Sequence, residues 1–241
     1  MGKYSEALDE FNKSIEVEPT YDVAWNNKGW ALFALGRNND ALTCFDRALE
    51  LNPKYENALN NKALVNITLE KYDEAKVYIN SVLEMNDKSY SAVLFNGILL
   101  WKSKKYEEAL AWIDKAITIN PNLSKGYYYK AKVLEETSSY RDALMNIDKS
   151  LEIEPDSILF HTTKAHTLIL SGSYQEALTE YEIFCVAHPT IEICNGRGYA
   201  LEMLGRNDES LIAYQDTLSK DPSNEYARNG KIRMLKKVES F

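Results

Sequence analysis

The sequence predicts an all-α protein built from helical hairpins that recur at a period of 34 residues. Three observations carry this prediction. The six prolines fall on one grid, a helical phrase pairing a small with a large apolar residue precedes each grid point, and a second amphipathic pattern precedes that phrase. A fixed period of this size indicates a repeat architecture, because each repeat buries its apolar face only against its neighbours.

The prolines predict where every second helix ends. They are separated by 34, 68, 34, 34 and 33 residues, and Asp87 occupies the one grid point without a proline; the positions are Pro19, Pro53, Pro121, Pro155, Pro189 and Pro222. Proline cannot continue a helix, and the residue before it is disfavoured in helical geometry. A proline at fixed phase therefore predicts a helix end at fixed phase.

The segment before each stop carries a small residue and, four positions later, a large apolar one. In GRNNDALTCF, Ala41 precedes Phe45, and Ala48 follows three residues further on. Steps of four and three place such residues on one helical stripe. The equivalent pairs are Ala7 with Phe11, Ala75 with Ile79, Ala109 with Ile113, Ala143 with Ile147, Ala177 with Tyr181 and Ser210 with Tyr214. A small residue beside a large one on this stripe predicts that a neighbouring helix approaches closely.

An earlier helix in each period carries a second stripe. In WNNKGWALFALG it runs through Trp25, Gly29 and Leu32, and the short turn after it contains a glycine in three periods, at Gly36, Gly172 and Gly205. In the next period Asn66 lies on this stripe. A buried asparagine needs hydrogen-bond partners, so we expect this repeat to be the least stable of the array and to show early amide exchange.

These landmarks resemble the tetratricopeptide repeat. One period matches its pattern at Trp25, Gly29, Gly36, Ala41, Phe45, Ala48 and Pro53, and a tyrosine recurs in phase at Tyr4, Tyr72, Tyr106, Tyr140 and Tyr174. The resemblance covers nearly the whole chain. It implies a right-handed α-solenoid, a superhelix of stacked antiparallel helix pairs, that works as a non-enzymatic scaffold for protein interactions.

The period divides the chain into three parts. Residues 1–21 supply the second helix of an incomplete repeat, residues 22–224 contain six repeats, and residues 225–241 form a capping helix and tail. A second helix without the first helix of its repeat leaves apolar residues partly uncovered, because terminal repeats normally need a polar cap. We therefore expect either a longer parent protein or a homodimer formed through this helix.

Composition restricts the classes of partner and the compartment. A net charge of −8 argues against nucleic-acid binding, which needs a basic stripe. No run of 18 apolar residues and no leader pattern is present, so we expect neither a membrane span nor export. The cysteines, Cys44, Cys185 and Cys194, are an odd number without metal-ligand spacing, which is typical of a reducing interior. The predicted location is the cytoplasm.

Candidate chemistry is sparse. His161, His166 and His188 do not share a helical face at a four-residue step, and His161 lies on a core stripe, where we expect it to be packed or hydrogen-bonded. Cys185 and Cys194 could approach each other across adjacent helices, but buried free cysteines are commoner. We find no catalytic constellation, so the sequence predicts a protein that is not an enzyme and has no metal or cofactor.

The face opposite the core stripe of each first helix predicts a concave binding surface. In the second half of the chain this face carries Leu159, Thr162, Thr163, His166, Leu170, Glu192, Asn195, Gly196, Tyr199 and Met203. The predicted peptide-binding residues lie further upstream and are amides, aliphatic and aromatic side chains and two lysines: Asn27, Trp30, Asn61, Leu94, Phe95, Ile98, Lys125, Tyr128, Tyr129 and Lys132. Amides can hold a peptide backbone, and aromatic side chains are typical interface anchors.

The expected function is therefore binding of an extended or helical segment of a partner protein, anchored near Phe95 and Tyr129. The alternative is that the chain is a regulatory or targeting arm of a larger enzyme. Some members of the family have a carboxylate clamp for the C-terminal tails of chaperones. Here Ser91 and Phe95 replace its lysine and arginine after Asn61, so the resemblance does not extend to that clamp.

Overall fold

The computed structural model describes residues 2–187 and 190–238, without the side chains of residues 2–3, 185–187 and 238. Within these ranges the fold consists of fourteen α-helices and no strand. In chain order they are α1 (Gly2–Val17), α2 (Asp22–Ala34), α3 (Asn38–Leu51), α4 (Glu56–Thr68), α5 (Tyr72–Met85), α6 (Tyr90–Lys102), α7 (Tyr106–Ile119), α8 (Ser124–Glu136), α9 (Tyr140–Ile153), α10 (Ile158–Leu170), α11 (Tyr174–Ala187), α12 (Ile191–Met203), α13 (Asn207–Lys220) and α14 (Glu225–Val238).

The helices form two compact units. The first unit, Met1–Pro121, contains α1 to α7, and the second unit, Asn122–Phe241, contains α8 to α14. In each unit consecutive helices pack as hairpins, and the first helices of successive hairpins also touch, as α4 does with α6 and α10 with α12. The all-α repeat solenoid expected from the sequence is confirmed.

The helix ends follow the proline grid. Helices α1, α3, α7, α9 and α13 each end two residues before a proline, and α5 ends two residues before Asp87. The stop at Pro189 lies outside the described residues. The helix before Asp87 therefore ends at the expected position without a proline. At this turn Ser89 donates a 2.6 Å hydrogen bond to Glu56, which ties the turn to the preceding hairpin.

The turn inside each hairpin has one left-handed residue. Gly36, Gly172 and Gly205 have φ of 77°, 81° and 74°, and three turns without glycine use Glu70, Lys104 and Ser138 at 59°, 60° and 57°. After each of these residues the next amide donates back across the turn, as Lys105 N does to Leu100 O at 2.9 Å. This bond satisfies a carbonyl at the helix end. For Glu70, Lys104 and Ser138 the left-handed conformation costs about 1–2 kcal/mol, because their Cβ atoms crowd the backbone.

The small and large residues of the repeat meet as predicted. Phe45 is completely buried, and a Cβ atom placed on Gly29 would lie 2.6 Å from its ring. Gly97 against Ile113 and Gly198 against Tyr214 repeat this close approach. Asn66 is buried and donates to the Lys62 carbonyl at 2.8 Å. Early amide exchange of this repeat stays a prediction.

The closing helix α14 docks on the second unit through both core and charge. Met234 is completely buried. Arg233 donates two 2.8 Å hydrogen bonds to the shielded carboxylate of Glu202, to which the Tyr214 hydroxyl also donates at 3.0 Å. Burial acts to raise the pKa of Glu202, but the bonds from Arg233 and Tyr214 outweigh it and hold that pKa below its ordinary value.

Candidate protein-binding surface

In the first unit the predicted amides are bound to one another. Asn61 donates through Nδ2 to Asn26 Oδ1 at 2.9 Å, and Asn26 donates to Asn27 Oδ1 at 3.3 Å. Asn26 is buried, whereas Trp30 is 38% exposed with its ring 5.7 Å from that of Phe33. Part of the amide capacity expected to hold a peptide backbone is therefore used within the first unit.

Two of the predicted lining residues belong to the core. Leu94 and Ile98 are 3% and 2% exposed, which corrects the expectation that they line an open surface. The stripe predicts one buried face for α6. Because α6 contacts α4 as well as its hairpin partner α7, a second face is buried too. Phe95, the neighbouring predicted anchor, is partly buried.

In the second unit the predicted residues of α8 form an aromatic cluster. The Tyr128 ring lies 4.9 Å from that of Tyr129 and 5.4 Å from that of Phe160, which is 1% exposed. Burial, assisted by the charges of Tyr129 and Glu135, raises the pKa of Tyr128 to about 12. The phenol therefore remains neutral at physiological pH. Lys125, at the start of the same helix, is exposed.

Lys132 is engaged by a buried carboxylate. It forms an ion pair with Glu135, whose side chain is 5% exposed. Thr167 donates to Glu135 at 2.5 Å, and His166 Nδ1 lies 3.7 Å from the same oxygen. Burial would raise the pKa of Glu135, but bonds from His166, Lys132 and Thr167 keep it below its ordinary value. The positive charge expected of Lys132 is thus balanced inside the second unit.

A first cleft, here the Tyr128 cleft, lies between α8, α10 and the start of α12. It has a volume of about 530 Å³. Apolar, hydroxyl and charged groups share its wall, which consists of Tyr128, Lys132, Ile158, Leu159, Thr162, Thr163, His166, Thr190 and Glu192. Leu159 is half exposed, so an apolar side chain is available there to a partner.

A second cleft, here the Tyr199 cleft, adjoins the first and shares His166 and Glu192 with it. It has a volume of about 770 Å³. Its wall is mainly aromatic and apolar, and consists of His166, Ile169, Tyr181, Ile191, Glu192, Asn195, Gly196, Tyr199 and Tyr226. The ring of Tyr226 lies 6.5 Å from that of Tyr199. The two clefts together, called the second-unit surface below, are large enough for several side chains of one peptide.

Gly196 explains why the Tyr181 ring reaches this surface. The same phase of other repeats carries a side chain, as at Asn61 and Tyr129. A Cβ atom on Gly196 would lie only 2.2 Å from Tyr181 Cζ. The absence of a side chain therefore lets a core tyrosine of α11 extend over the backbone of α12.

The sequence-based site prediction named one end of the second-unit surface and missed the rest. Tyr128 and Lys132 line the Tyr128 cleft. The inner-face pattern also included His166, Glu192 and Tyr199, but the predicted binding set stopped at Lys132. Tyr181 lies on α11 and Tyr226 on α14, whereas the inner-face pattern covers only the first helix of each hairpin. Their place in the Tyr199 cleft therefore depends on tertiary packing.

The remaining histidine and cysteine predictions concern structural contacts. His161 Nδ1 lies 2.9 Å from Glu180 Oε2, and its Nε2 lies 2.8 Å from the Pro155 carbonyl, so the predicted hydrogen-bonded role is confirmed. Cys194 is buried and accepts a 3.3 Å hydrogen bond from Lys220. His188 and the Cys185 side chain lie outside the described residues.

In residues 2–187 and 190–238 no three histidine, cysteine, aspartate or glutamate side chains come together in a way that could hold a metal ion. Over the same ranges no helix is both long enough and apolar enough to span a bilayer.

Stacked helical hairpins with an inner surface of this kind define an α-helical repeat protein. Family models described as tetratricopeptide repeat match residues 23–55 and 61–124, and a model for subunit 3 of the anaphase-promoting complex, or cyclosome, matches residues 102–183. The chain belongs to the tetratricopeptide repeat family. Repeats of this family generally bind protein partners.

Solved structures support the fold. A tetratricopeptide repeat protein from Parabacteroides merdae is 17% identical over 97% of this chain and 93% of its own, with a TM-score of 0.68. The Cut9–Hcn1 hetero-tetramer of APC/C is 12% identical over 97% of this chain and 46% of its own, with a TM-score of 0.85. A human IFIT1 dimer with m7Gppp-AAAA is 16% identical over 98% of this chain and 59% of its own, with a TM-score of 0.81. A search of curated proteins found no match. Identities this low concern the fold alone.

Proposed function

We propose that the chain is a non-enzymatic scaffold that binds a peptide segment of a partner protein on the second-unit surface. The observation that carries the proposal is the adjacency of the two clefts, which share His166 and Glu192. Concave, mainly apolar sites with a few polar groups are the usual form of a ligand site. Aromatic side chains in such a site are typical energetic centres of an interface.

The charges of the second-unit surface favour a peptide over a phosphate-bearing ligand. Lys132 is already paired with Glu135, while Glu192 forms no ion pair within the described part of the chain. The net charge of −8 also disfavours a phosphate-bearing ligand. The IFIT1 neighbour was solved with m7Gppp-AAAA, but a surface whose unpaired charge is a carboxylate repels phosphate oxygens.

The test is selection of binding peptides from a random display library against the full chain, followed by affinity measurement. The informative variant is Leu159→Ser, which removes a half-exposed apolar side chain from the Tyr128 cleft. The matched control is Met145→Ser, an exposed apolar residue of α9 outside the clefts. We expect Leu159→Ser to weaken the selected peptides about tenfold, because burying such a side chain contributes about 1.5 kcal/mol or more. Equal affinities for the two variants would contradict the proposal.

Phe95→Ala serves as the arm that tests the anchor originally expected in the first unit. A loss of affinity similar to that of Leu159→Ser would show that the selected peptides also need Phe95. An unchanged affinity would restrict the proposed site to the second unit. Cytoplasmic location and homodimer formation through α1 stay predictions, and sedimentation at several concentrations checks the second of these.

A further inference from the structure

The Tyr199 cleft combines tyrosine rings with the carboxylate of Glu192. Tyr181 is 5% exposed, Tyr199 is partly buried and Tyr226 is 47% exposed, so the three rings line the cleft from its floor to its rim. Glu192 lies at the start of α12 and forms no ion pair within residues 2–187 and 190–238. Aromatic faces attract cations because of the negative potential over the ring.

The side-chain amide of Asn195, which also lines the cleft, has its donor engaged and its acceptor unused. Asn195 uses its Nδ2 to donate to Asn224 Oδ1 at 3.3 Å, and its own Oδ1 has no hydrogen-bond partner in the described part of the chain. Burial, followed by the charge of Glu192, raises the pKa of Tyr181, which is consistent with the carboxylate lying close to this phenol. Among the residues that the structure describes, no lysine or arginine lines the cleft.

We propose that the Tyr199 cleft binds a cationic side chain, arginine or lysine, of the partner peptide, between its tyrosine rings and the Glu192 carboxylate. The inference rests on the proposed function, because it assigns a ligand chemistry to part of the second-unit surface. Charge complementarity selects this occupant over an acidic or a purely aliphatic one. The planar guanidinium of arginine also stacks on aromatic rings, which favours arginine over lysine.

The test uses N-acetyl-arginine amide as the probe and its neutral near-isostere N-acetyl-citrulline amide as the control. Each is titrated into the full ¹⁵N-labelled chain, and chemical shifts of backbone amides report the site and the dissociation constant. We expect the arginine probe to shift amides around Gly196 and Tyr199 and to bind about threefold to fivefold more tightly than citrulline. Added salt weakens the arginine probe alone, because the interaction is charge-dependent.

Variants identify the groups responsible. Glu192→Gln lowers the affinity of the arginine probe about threefold and leaves that of citrulline unchanged, and Tyr226→Leu lowers the affinity of arginine more than that of citrulline. Both side chains are exposed, so the fold is retained, and Glu107→Gln in the first unit is the matched loss of an exposed charge. Equal binding of the two probes, or an arginine affinity that neither variant changes, overturns the inference.

The outcomes separate this inference from the proposed function. Selected peptides that depend on Leu159 but lack arginine and lysine would overturn the cationic assignment and leave the scaffold function standing. An arginine probe that binds at Glu192 while the selected peptides ignore the second-unit surface would support the cationic cleft and contradict the scaffold function.

Discussion

The two units are built from the same hairpin but differ in their inner surfaces. In the first unit the amides of Asn26, Asn27 and Asn61 bind one another and Leu94 is buried. In the second unit two clefts of about 530 and 770 Å³ adjoin each other. One phase of the repeat differs systematically: it carries Ala24, Ala58 and Ala92 in the first unit, and Gly126, Phe160 and Ile193 in the second.

This difference shows that the repeated residues and the variable ones have separate roles. Ala41 and Phe45, like Ala143 and Ile147, bring the helices of each hairpin together in both units. The clefts depend instead on Phe160, which supports the Tyr128 ring, and on Gly196, which admits the Tyr181 ring. The period therefore determines the stack, and departures from it determine the surface.

The largest expected effect comes from removing the side chain that distinguishes the second unit. We expect Phe160→Ala to lower the free energy of unfolding by about 3–5 kcal/mol, because a fully buried ring leaves a cavity. Ala92→Gly, at the same phase in the first unit, should cost only about 1 kcal/mol. Urea unfolding measures both, and amide exchange assigns each loss to a unit. If the two variants lost similar free energies of unfolding, Phe160 would not be the source of the difference between the units.

A second prediction compares how the units respond to pH. The second unit contains Glu135 and Glu202, whose pKa values are lowered, so their stabilisation is complete above the ordinary carboxyl range and is lost as pH falls through the lowered pKa. In the first unit burial would lower the pKa of Lys62, but bonds to Asp46 and Tyr78 raise it. That contribution is lost only when pH rises through the raised pKa. Acid should therefore weaken the second unit first.

The measurement is unit-resolved amide exchange at neutral pH and at about pH 3, below the ordinary carboxyl pKa. The variant Glu135→Gln should lose about 1–2 kcal/mol at neutral pH, because charge-assisted bonds are replaced by neutral ones. Its deficit relative to the wild type should shrink as pH falls through the lowered pKa of Glu135. Equal acid sensitivity of the two units would contradict the prediction.

The smallest expected effects concern the turns. The first unit uses Glu70 and Lys104 in left-handed turns, and the second unit uses Ser138 once and glycine twice. Lys104→Gly should raise the free energy of unfolding by about 0.5–1 kcal/mol, because glycine adopts positive φ without steric cost. Gly172→Ala should lower it by about 1 kcal/mol. Thermal unfolding measures both, and a destabilised Lys104→Gly would show that its side chain contributes more than the turn costs.

The sequence predicted the fold well because its signals are local and repeated. Prolines and small–large pairs set helix ends and close contacts that do not depend on distant residues. The site was less predictable. The burial of Leu94 depends on packing between successive hairpins, and the access of Tyr181 to the surface depends on a glycine in the following repeat. Periodicity places residues on a face but does not tell which neighbour covers them.

The docking of α14 has a consequence beyond shielding the last hairpin. Tyr226 belongs to this helix and lines the Tyr199 cleft, while Arg233 on the same helix grips Glu202 of α12. A truncated chain that stopped at residue 224 would retain every complete hairpin yet lack one side of that cleft. Detachment of this single terminal segment would therefore remove the Tyr226 side of the cleft, which makes the shape of the cleft depend on the attachment of α14.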